Sequence, residues 1–210
     1  MIPLDSLLIF ASTSLLLALT PGPDNLFVLS QSALFGRRAG ITITLGLCTG
    51  LIVHTGAVAL GAAAIFQTSE SAFTALKLAG AGYLIYLAWQ SFRAAAQQSL
   101  TGATVALITT AQYRRGVVMN LTNPKVSLFF LAFLPQFTSP QYGPLAPQIM
   151  VLGGVFMMSA LSVFITIATL AGTVSQWWSR SQRAQIVLHR IAGLVFIALA
   201  VHLIVSDHAI

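Results

Sequence analysis

The sequence predicts an all-α integral membrane protein, a single domain over residues 1–210 with six transmembrane helices arranged as a 3+3 inverted repeat. Three observations carry that reading. The chain is 57% hydrophobic and 7% charged, with a mean hydropathy of +0.87, whereas soluble domains carry about 25% charged residues. Six apolar stretches, at about 4–35, 41–66, 71–92, 116–136, 147–173 and 190–206, mostly reach the roughly 17 to 25 residues that span a hydrocarbon core as a helix. Basic residues alternate between connections: Arg37 and Arg38 follow the first stretch, Arg93, Arg114 and Arg115 flank the third connection, and Arg180, Arg183 and Arg190 flank the fifth. The second and fourth connections carry none, and Asp5, Glu70 and Asp207 fall on their side. The positive-inside rule then places the odd-numbered connections in the cytoplasm and both termini outside. With three helices per half, the halves enter the membrane in opposite directions, so any repeat between them is inverted.

The net charge of +6 is accounted for by these flanking arginines, which removes nucleic acid as a partner. No positive n-region or A-x-A-like cleavage site marks the N-terminus as a secretory signal, so the first stretch is expected to remain in the mature protein. Cys48 is the only cysteine; it excludes an intrachain disulfide and reads as a small apolar packing residue.

The first stretch contains Thr20-Pro21-Gly22-Pro23-Asp24-Asn25. Proline removes a backbone donor and breaks the helix at Pro21, Gly22 and Pro23, and Thr20-Pro21 reads as an N-cap followed by proline at the first position of a new half-helix. About 30 residues separate Asp5 from Arg37, more than a straight crossing needs, which a break or tilt accommodates. In the second stretch Gly46, Gly50, Gly56 and Gly61 permit close helix approach, and His54 reads as a satisfied core histidine. In the third, Gly80 and Gly82 read like the other glycines. Lys77 lies seven residues past Glu70, where it either snorkels outward or serves in coupling or gating.

The fourth stretch contains Asn120-Leu121-Thr122-Asn123-Pro124-Lys125, in which Asn123 reads as an N-cap and Pro124 as the first helical residue. Pro23 lies 14 residues from Arg37 and Pro124 lies 9 from Arg115, or about 21 and 14 Å at helical rise, so both breaks fall near the membrane midplane. The fifth stretch carries Ser159, Ser162, Thr166, Thr169 and Thr173 on one helical face. That stripe either lines a cytoplasmic vestibule or packs closely with its hydroxyls bonded back to the helix. Trp177 and Trp178 read as interface anchors, and His202 in the sixth stretch carries little signal.

Paired helix breaks near the midplane are the strongest sequence pointer to a transporter binding site. A charge there costs roughly 2.5 to 3.5 kcal/mol on insertion scales, so Asp24 and Lys125 are expected to face a solute pathway. Half-helix N-termini attract carboxylates. Asp24, Asn25, Asn120, Asn123 and Lys125 are therefore the expected substrate-binding residues, with alternating access around a site between the two broken helices. Asp24 and Lys77 are the residues available for coupling. Asp24 also has a structural reading, satisfying the first turn of its half-helix, and Lys125 has one as its ion-pair partner. No P-loop, nucleophile elbow, HExxH or carboxylate-rich metal cluster is present, so no enzyme, cofactor or metal is expected. A rival reading is a carrier or channel for inorganic cations or other small polar solutes, against which a single intramembrane acid is poor provision for a divalent ion. A non-transporting scaffold, its charges structural, is the other.

Several of these motifs together are familiar. Thr20-Pro21-Gly22-Pro23, the pair Gly46 and Gly50, Leu76-Lys77-Leu78-Ala79-Gly80-Ala81-Gly82-Tyr83-Leu84 with Tyr86-Leu87, and Asn120 to Lys125 followed by Phe133-Leu134-Pro135-Gln136-Phe137 resemble the LysE superfamily. Within it, the resemblance is to the homoserine/threonine exporter (RhtB) family. It covers nearly the whole chain in order and spacing. It implies a multi-pass carrier of the bacterial inner membrane, termini periplasmic, that exports amino acids or close derivatives in exchange for protons. The implied partners are the amino acid, protons and membrane lipid; surface glycines permit a homo-oligomer without requiring one. Lys77, Pro124 and Lys125 match the family pattern, whereas the residue after Pro-Gly-Pro is often uncharged there, so the resemblance links Asp24 to this chain's own substrate.

Overall fold

A computed structural model describes residues 2–68, 70–93, 108–173 and 181–205. It is helical throughout, with no strand among the described residues. The helices are α1 (Leu4–Leu19), α2 (Pro23–Phe35), α3 (Arg37–Thr68), α4 (Glu70–Arg93), α5 (Thr109–Leu121), α6 (Pro124–Leu128), α7 (Leu145–Thr169) and α8 (Gln182–Val205). A π-helical turn (Phe129–Phe133) and a 3₁₀ turn (Leu134–Phe137) continue α6. Trp177, Trp178, Arg180 and Asp207 lie outside the described residues.

Three helical segments, Arg37–Gly61, Leu145–Thr169 and Arg183–Val205, are long and apolar enough to cross a membrane. Two bent pairs meet the same test, α1 with α2 at 57° and Thr109–Leu121 with Pro124–Phe137 at 48°. Both bends fall where proline removes a backbone donor. The first differs from expectation by two residues. Thr20 closes α1, its N–H and Oγ1 both donating to Leu16 O at 3.0 and 2.9 Å, and the new helix starts at Pro23 with extended Gly22 as its N-cap. A residue before proline is driven out of the helical region, and both Thr20 and Gly22 precede one, so the chain restarts only at Pro23. Helix ends also run past the apolar stretches, into Arg114 and Arg115 in α5 and Arg183 and Arg190 in α8, as polar turns do beyond the hydrocarbon core.

α3 is the central strut, packed on α5 and α7. It runs parallel to α5, since Gly46 meets Gly116 and Gly50 meets Asn120. At that crossing a Cβ on Gly46 would strike the Tyr113 carbonyl, and one on Gly116 the Ile43 carbonyl. Thr49 Oγ1 and Tyr113 OH add a 2.7 Å hydrogen bond beside the contact. α7 runs antiparallel to α3, with Gly153 on Thr55 and Ala168 on Gly40, and α8 runs antiparallel to α4, with Gly193 on Phe92 and Leu203 on Gly80. Gly80 also seats Ala132 of the π-helical turn. By contrast Gly56, Gly61 and Gly82 have nothing within 4 Å of a built Cβ, so among the described residues they do not mediate the close approach expected of them.

Gly46→Leu should therefore cost at least about 3 kcal/mol, because the collision is with backbone and has no rotamer to relieve it. Gly56→Leu should stay within about 0.5 kcal/mol. Denaturant titration of both variants in mixed micelles tests this, and equal midpoints would refute the glycine contact.

An aromatic core fills the space between α1, the π-helical turn and α7. Phe129 lies 4.9 Å from Phe133, 5.0 Å from Phe156 and 6.0 Å from Phe10 by ring centroid. Pro135 lacks the N–H that would bond Leu131, and the chain widens just before it, the Leu134 N–H reaching Phe129 O. Outward residues such as Leu60, Met150, Met158 and Leu194 are apolar and exposed, a surface suited to lipid.

Candidate functional site

The two helix breaks meet in the interior, and the backbone that each proline has freed finds partners there. In an unbroken helix Leu17 O would accept from residue 21, but that is Pro21. Lys125 Nζ takes its place, donating to Leu17 O at 3.5 Å and Thr20 O at 3.3 Å. Gly22 makes room for the ammonium: a Cβ there would stand 3.1 Å from Nζ. Asn25 Nδ2 donates to Ala18 O at 2.7 Å. At the second break Asn120 O has lost its partner to Pro124, and it is met by Asn123 N at 3.1 Å and His54 Nε2 at 3.3 Å. A carbonyl only accepts, so Nε2 carries the proton in that contact. The ring also lies 5.7 Å from Phe130, so His54 is a half-buried histidine with its Nε2 satisfied.

Asn123 is the centre of the seam. Its Oδ1 accepts from Lys125 N at 3.0 Å, the N-cap bond expected from Asn123-Pro124. Its Nδ2 donates to Asp24 Oδ2 at 2.9 Å across the two breaks. Asp24 and Lys125 thus share one site without bonding each other: the carboxylate is held by an amide and the ammonium by carbonyls.

A cavity of about 20 Å³ lies at this junction, lined by Asp24, Asn25, Asn120 and Lys125 on its polar side and by Leu51, Phe156, Ala160 and Phe164 among the apolar residues. That is room for about one water. Three buried oxygens of the lining residues have no hydrogen-bond partner: Asp24 Oδ1, Asn25 Oδ1 and Asn120 Oδ1. Buried acceptors are normally paired. Three unpaired ones at one cavity, beside a cation, form a place for a group with several N–H donors. Gly50 seats Asn120 there, since a Cβ would fall 2.7 Å from Asn120 Cβ.

The structure therefore brings together Asp24, Asn25, Asn120, Asn123 and Lys125, with Pro21, Gly22, Pro23 and Pro124 forming the breaks around them. Lys77 is half-buried on α4 and does not line the cavity. Ser162, Thr166 and Thr169 are exposed and bond back to their own helix, as does half-buried Ser159. The hydroxyl stripe does not line this cavity either. The α7 residues that do, Phe156, Ala160 and Phe164, were not singled out from sequence, although their spacing of four marks a single helix face.

Residues 15–207 match the family described as LysE type translocator. The chain is 34% identical over 197 residues to the homoserine/homoserine lactone efflux protein of Salmonella typhimurium, covering 94% of this chain and 95% of that one. It is 31% identical over 189 residues to an uncharacterized membrane protein of Vibrio cholerae, covering 90% and 91%. A leucine efflux protein of Salmonella choleraesuis is 31% identical over 134 residues, covering 62% and 63%. No solved structure matches.

Proposed function

Because this chain belongs to the LysE translocator family, we propose that it is a secondary active exporter of amino acids or close derivatives across the bacterial inner membrane. One observation carries the substrate class. Three residues lining one cavity carry buried acceptors without hydrogen-bond partners, beside an ammonium held by backbone carbonyls. An α-ammonium brings three donors to Asp24, Asn25 and Asn120, and an α-carboxylate brings the anion that Lys125 lacks. The relatives named as homoserine/homoserine lactone and leucine efflux proteins agree with such a substrate.

The transport cycle is alternating access. The cavity holds about 20 Å³, so an amino acid enters only when the breaks part, and the seam of Asn123–Asp24 and Lys125–carbonyl bonds is what parts. Asp24 carries the coupling proton, and Lys77 serves as a gating residue outside the cavity. Six spans with periplasmic termini fit the helix directions. The parallel course of α3 and α5 requires α4 to return the chain across the membrane, which favours counting α4 as the sixth span beside the five selected by length and apolarity. The 3+3 inverted repeat is supported by the two proline breaks meeting from opposite directions.

Efflux from proteoliposomes loaded with a panel of labelled amino acids, with and without an imposed pH gradient, is the test. Gradient-stimulated release of a narrow set is expected. Flux of an inorganic cation, unaffected by any amino acid, would replace this reading with the cation carrier.

A further inference from the structure

The exporter reading uses the polar lining of the cavity and leaves the residues that α7 contributes to it without a role. Phe156, Ala160 and Phe164 line it and are buried, at 4%, 2% and 5% exposure. Phe156 and Phe164 are eight residues apart, about 12 Å along the helix, with Ala160 midway. A methyl between two rings leaves a notch. One wall of it is fixed, because the Phe156 ring packs 5.0 Å from Phe129 and 5.1 Å from Phe130. The polar groups of the lining, Asp24, Asn25, Asn120 and Lys125, come from other helices, α2, α5 and α6. A zwitterion anchored on those groups projects its side chain toward α7. Asp24 and Lys125 are the charged groups among the described lining residues, and the α-ammonium and α-carboxylate engage both. A charged side chain would then meet an apolar wall with no counter-ion.

We propose that the Phe156–Ala160–Phe164 face is the side-chain subsite of the transported amino acid, that it selects neutral apolar side chains over charged ones, and that Ala160 sets the largest side chain admitted. This rests on the exporter reading. In the present conformation the cavity holds about 20 Å³, so admission depends on how far α7 stands off the breaks, and added bulk at position 160 consumes that space first.

The test compares efflux of alanine, leucine, phenylalanine, lysine and glutamate from proteoliposomes of the full chain, wild type against Ala160→Leu and Ala160→Gly. Wild type should move leucine roughly tenfold or more faster than lysine or glutamate. Ala160→Leu should lower the leucine-to-alanine flux ratio roughly tenfold or more, with a monodisperse size-exclusion profile and unchanged helical circular dichroism reporting intact folding. Ala160→Gly should raise the phenylalanine-to-alanine ratio, and it keeps the proposal testable if the bulkier variant does not fold. Unchanged ratios in every variant that folds, or a wild-type preference for lysine or glutamate, would overturn the subsite while leaving the exporter standing. Absence of any amino-acid flux from folded wild type would overturn both.

Discussion

Lys125→Met is expected to reduce amino-acid efflux about 100-fold or more while the protein remains folded. Methionine keeps most of the unbranched stem and removes only the charge and its donors. Two consequences follow from the contacts. Leu17 O and Thr20 O lose the ammonium that satisfies them at 3.5 and 3.3 Å, a cost to stability of about 1 to 3 kcal/mol. The substrate carboxylate loses its counter-charge in a buried site, where truncating one partner of a hydrogen-bonded charge pair costs about 2 to 5 kcal/mol. At 1.4 kcal/mol per tenfold, the middle of that range is the predicted loss in rate. Lys125→Arg is not a full rescue. The guanidinium is planar and larger, and the ammonium already stands where a Cβ on Gly22 would be 3.1 Å away. Initial efflux rates at matched reconstitution measure the effect, and a Met variant above half the wild-type rate would exclude Lys125 from the site.

The seam explains why prolines sit at both breaks. Each removes a donor from a carbonyl one turn earlier, Leu17 for Pro21 and Asn120 for Pro124. Those carbonyls then require partners, and the partners come from the other elements, Lys125 for the first and His54 for the second. Polarity is thereby built into an apolar interior. This arrangement also allows two states, because side-chain donors can exchange between backbone carbonyls and a substrate, which an unbroken helix ladder cannot do.

Much of this was legible in the residues, for identifiable reasons. Proline breaks are covalent facts, so Pro21, Pro23 and Pro124 announce them, and Asn123 announces its cap because an amide before proline has few other uses. The restart at Pro23 was also derivable from the two X-Pro steps, although Thr20 looked like a better cap. Alternating arginines are what the expected topology rests on, because membrane insertion reads them directly. The two breaks were expected to share a site, but the individual bond was not legible: nothing near Asn123 in sequence singles out Asp24 as its partner. The hydroxyls of α7 drew attention through their chemistry, yet they bond to their own helix. The cavity took the plain face, Phe156, Ala160 and Phe164, whose apolar character is indistinguishable from core packing until the cavity is located.

Asp24→Asn should uncouple and slow transport while leaving the fold intact or more stable. Asp24 is 3% exposed, with Oδ2 bonded to Asn123 Nδ2 at 2.9 Å and Oδ1 unpaired. A buried charge with one unsatisfied oxygen costs stability. An amide of the same shape removes that cost, so the unfolding midpoint should hold or rise. Function should move the other way. The amide must present its oxygen to Asn123 Nδ2, which turns its NH₂ toward the cavity and places a donor where the substrate ammonium needs an acceptor. Losing a hydrogen bond to a charged group is worth about 1.5 to 3 kcal/mol, or about 10- to 100-fold in efflux. The residual flux should also be equal with and without an imposed pH gradient, because the group proposed to carry the proton is gone. A destabilised, inactive Asn variant would indicate that Asp24 serves the helix start alone. Normal rate with a normal gradient response would reject the paired-charge scheme, whereas a stable protein with slow, gradient-insensitive efflux is the signature of a residue kept for transport at the expense of stability.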